Sequence, residues 1–221
     1  MNTGNRFFIT GIGTGVGKTV VSAVLAQHFQ AGYWKPIQSG DLAQSDSIEV
    51  GGLINPYLKI YPERFRLQLA VSPHQAAEAE DVRIELSDFQ LPGTDGPLIV
   101  EGAGGLFVPI NDQHFVIELI EQLQLPAVLV VRDYLGCINH TLLSVQALKA
   151  ANIPVAFVVF NGTFNPATRA VLIRHRPAEA TIIELPEFEY LNRSEIYKAA
   201  IALKKYPHYD PTRTNQAGPA S

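Results

Sequence analysis

The chain has 221 residues, enough for one domain with a sizeable core, and its 47% apolar against 17% charged residues exclude a disordered chain. Lys and Arg number 17 against 21 Asp and Glu, and the net charge of −4 argues against nucleic-acid binding, which needs a basic stripe. The lone Cys137 excludes an internal disulfide, and neither a leader pattern nor a membrane-length apolar run is present, so a soluble cytoplasmic protein without a membrane partner is expected.

The stretch RFFITGIGTGVGKTV, Arg6 to Val20, opens on a short apolar strand, Phe7 to Ile9. A turn rich in glycine (Gly11, Gly13, Gly15, Gly17) leads to Lys18-Thr19 and a helix predicted over 18–30. This is the order a phosphate-binding loop requires. Glycines let successive backbone N–H groups face a polyphosphate, and the helix N-terminus adds partial positive charge. Lys18 would reach the outer phosphates and the Thr19 hydroxyl would ligate Mg²⁺. Gly11 and Gly17 enclose five residues where the standard loop has four, but the strand–loop–helix context is correct.

A second strand is predicted from Tyr33 towards Ile37, ending near Lys35 because Pro36 cannot donate to a ladder. Ser45 is a candidate cap for a short helix through Leu53. Phe65 and Leu67 alternate with polar neighbours, a weak strand signal, and Ser72-Pro73 opens a small helix. Leu86 to Asp95 is expected as a truncated helix before the Pro92-Gly93 turn. From Leu98 the alternation is regular. Strands are predicted at 98–100, 127–131, 155–160 and 181–185, with helices at 115–123, 138–150 and 167–175. Asn192 and Glu195 form a capping-box pattern for a last helix through Lys205. The reading is a doubly wound, mostly parallel α/β sheet with helices on both faces, in a single domain over 1–206, with a disordered tail over 207–221.

In such sheets ligands bind beyond the carboxyl ends of strands. Several candidates fall there, each with a plainer alternative. Glu101, before Gly102-Ala103-Gly104-Gly105, is a Mg²⁺ ligand or a capping carboxylate in a surface turn. Lys35 offsets charge in phosphoryl transfer or is simply solvated. Asp46 is a second oxygen ligand or a helix cap, with Asp41 as its competitor. Leu135 to His140 enters a helix whose N-terminus can take a carboxylate, and Cys137 there reads as a small helix-start residue rather than a nucleophile. Asn161-Gly162 either meets a nucleobase edge or makes a turn.

Taken in order, TGIGTGVGKT, KPIQSG, SPHQAA, VEGAGG and LGCINH resemble the dethiobiotin synthetase family of P-loop NTPases, from Phe7 to about Pro186. The resemblance implies a homodimeric, ATP-dependent cyclo-ligase that turns 7,8-diaminopelargonate and carbon dioxide into a cyclic urea, with ATP as co-substrate and Mg²⁺ as cofactor. It implies catalytic roles for Lys18 and Lys35, and Mg²⁺ held by Thr19, Asp46 and Glu101. Nucleotide contacts would come from Gly15, Val16, Gly17, Lys18, Thr19 and Val20, then Asp46 and Glu101 to Gly104, and finally Asn161, Gly162 and Pro186. Thr14, Ser39, Gly104 and Asn139 would meet the diamine, Asn139 serving its carboxylate tail near the dimer interface. Ile12, Gly13 and Tyr134 depart from the family pattern, and 86–96 lacks its long helix. The related cobyrinate or amide-forming ATPases usually add a glutaminase domain, for which this chain has no room. Partner-binding switch ATPases generally carry a second lysine early in the loop, and Gly11-Ile12-Gly13 offers none.

Overall fold

The computed structural model describes residues 5–203. The first strand, β1 (Arg6–Gly11), runs into the glycine loop and α1 (Lys18–Phe29), which ends on Gln30 in the left-handed region. Next come β2 (Gly32–Trp34), β3 (Ile37–Ser39), α2 (Asp46–Leu53), β4 (Ile60–Tyr61), β5 (Phe65–Leu67) and α3 (Pro73–Ala79). The regular half is β6 (Leu98–Gly105), α4 (Val116–Leu123), β7 (Ala127–Val131), α5 (Cys137–Ala150), β8 (Val155–Asn161), α6 (Pro166–His175), β9 (Thr181–Leu185) and α7 (Arg193–Ala202).

Seven strands form one sheet in the order β4-β2-β6-β1-β7-β8-β9, and every pairing in it is parallel. All five residues of β7 and all seven of β8 are buried, as strands covered on both faces must be. From β1 the chain crosses to β2 on one side, and from β6 onward it steps towards β7, β8 and β9 on the other. Right-handed crossovers therefore put α1 on one face and α4, α5 and α6 on the opposite face. That reversal opens a crevice at the carboxyl end of β1, where the glycine loop lies. On the α1 side of the sheet the ring of Phe7 lies 5.2 Å from that of Phe29 and 5.3 Å from that of Phe157, one aromatic cluster between helix and strands.

The structure corrects several details. The strand expected to end near Lys35 does stop at Trp34, but beyond Pro36 the chain forms a further strand. Lys35-Pro36 separates β2, in the large sheet, from β3, which pairs only with β5 in a second, two-stranded sheet. The weak alternation at Phe65 and Leu67 is thus a real strand, and the short β4 beside β2 was not anticipated. Between 86 and 95 only a 3₁₀ turn forms, at Leu86–Asp88. The strand after Pro97 does not stop at Val100. It runs through the glycines to Gly105, which pairs with Gly11 across a register shift. Ser45 does not cap α2, because its hydroxyl donates to Glu63 Oε1 at 3.2 Å. Gln38 Oε1 instead accepts from the Asp46 amide at 3.3 Å. Asn192 does cap α7 by accepting from the Glu195 amide at 3.1 Å, but the Glu195 carboxylate pairs with Lys198 rather than reaching back. The predicted helix end at Lys205 and the tail over 207–221 lie outside the described residues.

Candidate functional site

The glycine loop has the backbone its sequence requires. Gly15 and Gly17 have φ of 74° and 88°, and a Cβ on Gly17 would fall on the Asn161 amide. Asn161 is buried at the end of β8 and donates Nδ2 to the Val16 carbonyl at 2.9 Å, so it tethers the loop. Lys18 folds back over the same loop, its Nζ 3.4 Å from the Gly13 carbonyl. Burial lowers its pKa, assisted by Lys35 and opposed by Glu101 and Asp46.

Strand register brings the next charges together. β2 and β6 pair Tyr33 with Ile99 and Trp34 with Val100, so one step further Lys35 stands beside Glu101. Both side chains are almost wholly buried, with the ammonium 3.1 Å from Glu101 Oε1. The same ammonium is paired with Asp46 Oδ2 at the start of α2. Burial alone would lower the Lys35 pKa, but Glu101 and Asp46 outweigh it and the value is raised. Burial would likewise raise that of Asp46, but Lys35, with help from Thr19 and Lys18, holds it below the ordinary carboxylate range.

Thr19 Oγ1 lies 3.0 Å from Asp46 Oδ1 and 3.2 Å from Glu101 Oε1. A hydroxyl has one proton and cannot serve both carboxylates at once. Three hard oxygens therefore converge with Lys35 as their counter-ion, a donor set suited to a magnesium-like cation. No group of three or more His, Cys, Asp or Glu able to hold a metal occurs among the described residues. The two carboxylates and hydroxyl fit a cation whose remaining ligands come from phosphate and water, the usual manner of Mg²⁺.

These groups line a cleft of about 700 Å³. Thr14, Gly15, Gly17 and Val20 reach it from the loop and helix, Ala103 and Gly104 from β6, and Asp41 and Glu49 from around α2. Ser39 lines it too, and its buried hydroxyl has no hydrogen-bond partner among the described residues. An unpaired buried hydroxyl costs about 1–3 kcal/mol, which a ligand in the cleft would relieve.

Not every sequence candidate joins this group. Asn161, Gly162 and Pro186 gather at the ends of β8 and β9, where the Gly162 amide donates to the Leu185 carbonyl at 3.0 Å. They lie beside the loop and do not line the cleft. Gly102 lies within β6 between the cleft residues, its carbonyl 3.5 Å from Lys35 Nζ. Asn139 is exposed on the first turn of α5 and does not reach the cleft. Cys137 is buried with Sγ 3.4 Å from Asp133 Oδ1, and burial together with that carboxylate raises its thiol pKa, against a nucleophilic role. Two site residues escaped the sequence reading. Tyr33 donates its hydroxyl to Glu101 Oε2 at 3.0 Å, and Gln38 joins β3 to the amide of Asp46. The two-residue period of a strand, which puts Tyr33 on the same face as Lys35, was the available signal for the first.

A glycine loop at the first strand–helix turn of a parallel sheet, with its lysine, threonine and a strand-borne carboxylate, defines a P-loop NTPase. Solved structures agree on the fold. The septum site-determining protein MinD of Pyrococcus horikoshii, complexed with Mg-ADP, has a TM-score of 0.54 at 14% identity over 91% of this chain and 96% of its own. A putative plasmid partition protein of Borrelia burgdorferi bound to AMPPNP also gives 0.54, at 11% identity over 90% and 97%. Residues 5–195 match a family model described as an AAA domain. The ATP-dependent dethiobiotin synthetase BioD of Paramagnetospirillum magneticum is 50% identical over 165 residues, 75% of this chain and 80% of that protein. Its counterpart in Cytophaga hutchinsonii is 44% identical over 200 residues, 90% and 96% respectively. The chain belongs to the ATP-dependent dethiobiotin synthetase family, cyclo-ligases of biotin biosynthesis. No helix among the described residues is long and apolar enough to cross a membrane.

Proposed function

We propose that this cleft makes dethiobiotin from 7,8-diaminopelargonate, carbon dioxide and ATP, releasing ADP and phosphate. The observation that carries the reading is the convergence of Lys18, Lys35, Thr19, Asp46 and Glu101 on one cleft that also contains the unpaired Ser39 hydroxyl. One amine adds to carbon dioxide and loses a proton to give a carbamate. A carbamate oxygen then attacks the γ-phosphorus, and ADP leaves. The second amine attacks the carbon of the mixed anhydride, the bridging oxygen departs with phosphate, and the ring closes. A carbamate and a triphosphate repel each other, so this chemistry depends mainly on positioned cations and requires no protein nucleophile.

Lys18 offsets charge on the outer phosphates, and Lys35 offsets charge on the carbamate and the transferring phosphoryl group. Ser39, Thr14 and Gly104 orient the reacting end of the diamine. Thr19, Asp46 and Glu101 hold Mg²⁺, which when bound neutralises phosphate charge. Gly15 to Val20 and Glu101 to Gly104 face the phosphates, while Asn161, Gly162 and Pro186 flank the base. The diamine tail is assigned to Asn139 across a homodimer interface. Exposed Leu135 and Leu143, flanking it on the same segment, support an apolar contact there.

The test is mass spectrometry after turnover of the diamine with Mg²⁺-ATP and ¹⁸O-labelled bicarbonate, read before the label washes out. One label is expected in phosphate and one in the ring carbonyl. Unlabelled phosphate released equally fast without diamine would refute the reading and favour a switch ATPase.

A further inference from the structure

Glu101 is fully buried on β6, and its two oxygens have different company. Oε1 faces Thr19 and Lys35, the cation side of the site. Oε2 turns away and accepts the Tyr33 hydroxyl at 3.0 Å. We propose that Tyr33 is a positioning residue for Glu101, fixing the carboxylate so that it offers a single oxygen to the metal; this rests on the Mg²⁺ reading above.

The terminal torsion of a glutamate is soft and broadly populated, so burial alone does not fix the carboxylate plane. A donor on Oε2 does. Tyr33 is suited to that task because its backbone sits in the sheet, in register with Ile60 of β4 on one side and Ile99 of β6 on the other. Its ring is wholly buried, and a phenol hydroxyl is an O–H donor to a carboxylate. With Oε2 held towards Tyr33, Glu101 presents Oε1 to the cation side of the site. A single carboxylate oxygen suits the near-octahedral preference of Mg²⁺, which takes few protein ligands and fills its shell with phosphate and water. Hydrogen bonds behind a ligand typically contribute 10–100-fold to metal affinity.

The experiment titrates Mn²⁺, followed by electron paramagnetic resonance, into the full chain with ADP present. It compares the unmodified protein, Tyr33→Phe, Glu101→Gln and the double variant, with folding checked by circular dichroism and thermal unfolding. Phenylalanine keeps the ring and removes only the donor. Tyr33→Phe should weaken Mn²⁺ binding about tenfold. It should leave metal-free ADP affinity, measured in EDTA, unchanged, and should add nothing in the Glu101→Gln background. Unchanged Mn²⁺ affinity in Tyr33→Phe would overturn the positioning role alone, while equal losses of Mn²⁺ and metal-free ADP binding would show a merely structural tyrosine and overturn it too. An unmodified protein that takes up no Mn²⁺ with ADP would overturn the metal reading along with it.

Discussion

Replacing Lys35 with methionine should separate stability from catalysis, because the lysine stands where the site's oxygens would otherwise need another cation. The side chain is 6% exposed and its ammonium joins Asp46 to Glu101, the latter 1% exposed. Methionine keeps the stem and removes the charge, leaving two carboxylates facing each other. Removing one partner of a buried pair costs about 3–5 kcal/mol, and partial exposure of Asp46 places this case at about 3 kcal/mol. For a chain of this size that is a fall in melting temperature of about 6–12 °C in EDTA. Millimolar Mg²⁺ should then recover much of the loss in Lys35→Met, because the freed oxygens have no competing ammonium. It should shift the unmodified protein much less. Turnover should remain lower by about 10²-fold or more even in saturating Mg²⁺, as the proposed action of this cation on the transferring charge requires. Differential scanning fluorimetry with and without Mg²⁺, beside steady-state dethiobiotin formation, measures both halves. An unchanged melting temperature in EDTA, with no greater Mg²⁺ response, would show that Lys35 is not the counter-ion of the two carboxylates. Near-normal turnover would remove it from the chemistry.

Asp46→Asn should need about tenfold more Mg²⁺ for half-maximal turnover, whereas Asp41→Asn, which lines the cleft but makes no bond to Thr19, should not; the reverse result would transfer the ligand role to Asp41. Acid should weaken the metal-free protein partly through Asp46. Its folded pKa is depressed, so its contribution is present above the ordinary aspartate value and is lost as pH falls through the folded one. The melting-temperature gap between the unmodified protein and Asp46→Asn should therefore close on acidification, and a gap constant down to pH 3 would contradict the depressed pKa. The Lys35 pKa is raised, so its contribution holds below the ordinary lysine range and disappears only at strong alkali, outside the window of that measurement.

What could be read from the sequence was local. The glycine loop is legible because its spacing, its glycines and the helix that follows are contiguous, and each has a conformational reason. Lys35, Asp46 and Glu101 were legible singly, but each kept a plain alternative because nothing local says that they meet. Their meeting is a matter of register. The pairing of Trp34 with Val100 sets Lys35 beside Glu101, and the Gln38 contact sets the first turn of α2 against both. The same non-local step hid Tyr33, whose hydroxyl matters only once Ile99 is known to lie beside its backbone. Ser45 misled for the opposite reason. A serine before a helix reads as its cap, yet Glu63, 18 residues away, takes its hydroxyl. Pro36 was read correctly as an interruption, but whether the chain beyond it resumes the same sheet or begins another depends on β5, a strand with only a weak signal. The glycines after Glu101 argued for a turn, and the strand continued because Gly11 of the phosphate loop supplied a partner for Gly105. That extension matters for function, since it holds Glu101 within a paired strand of the sheet rather than on a mobile turn. A carboxylate so fixed has one oxygen tied to Tyr33 and the other paired with Lys35, so its position is set from both sides.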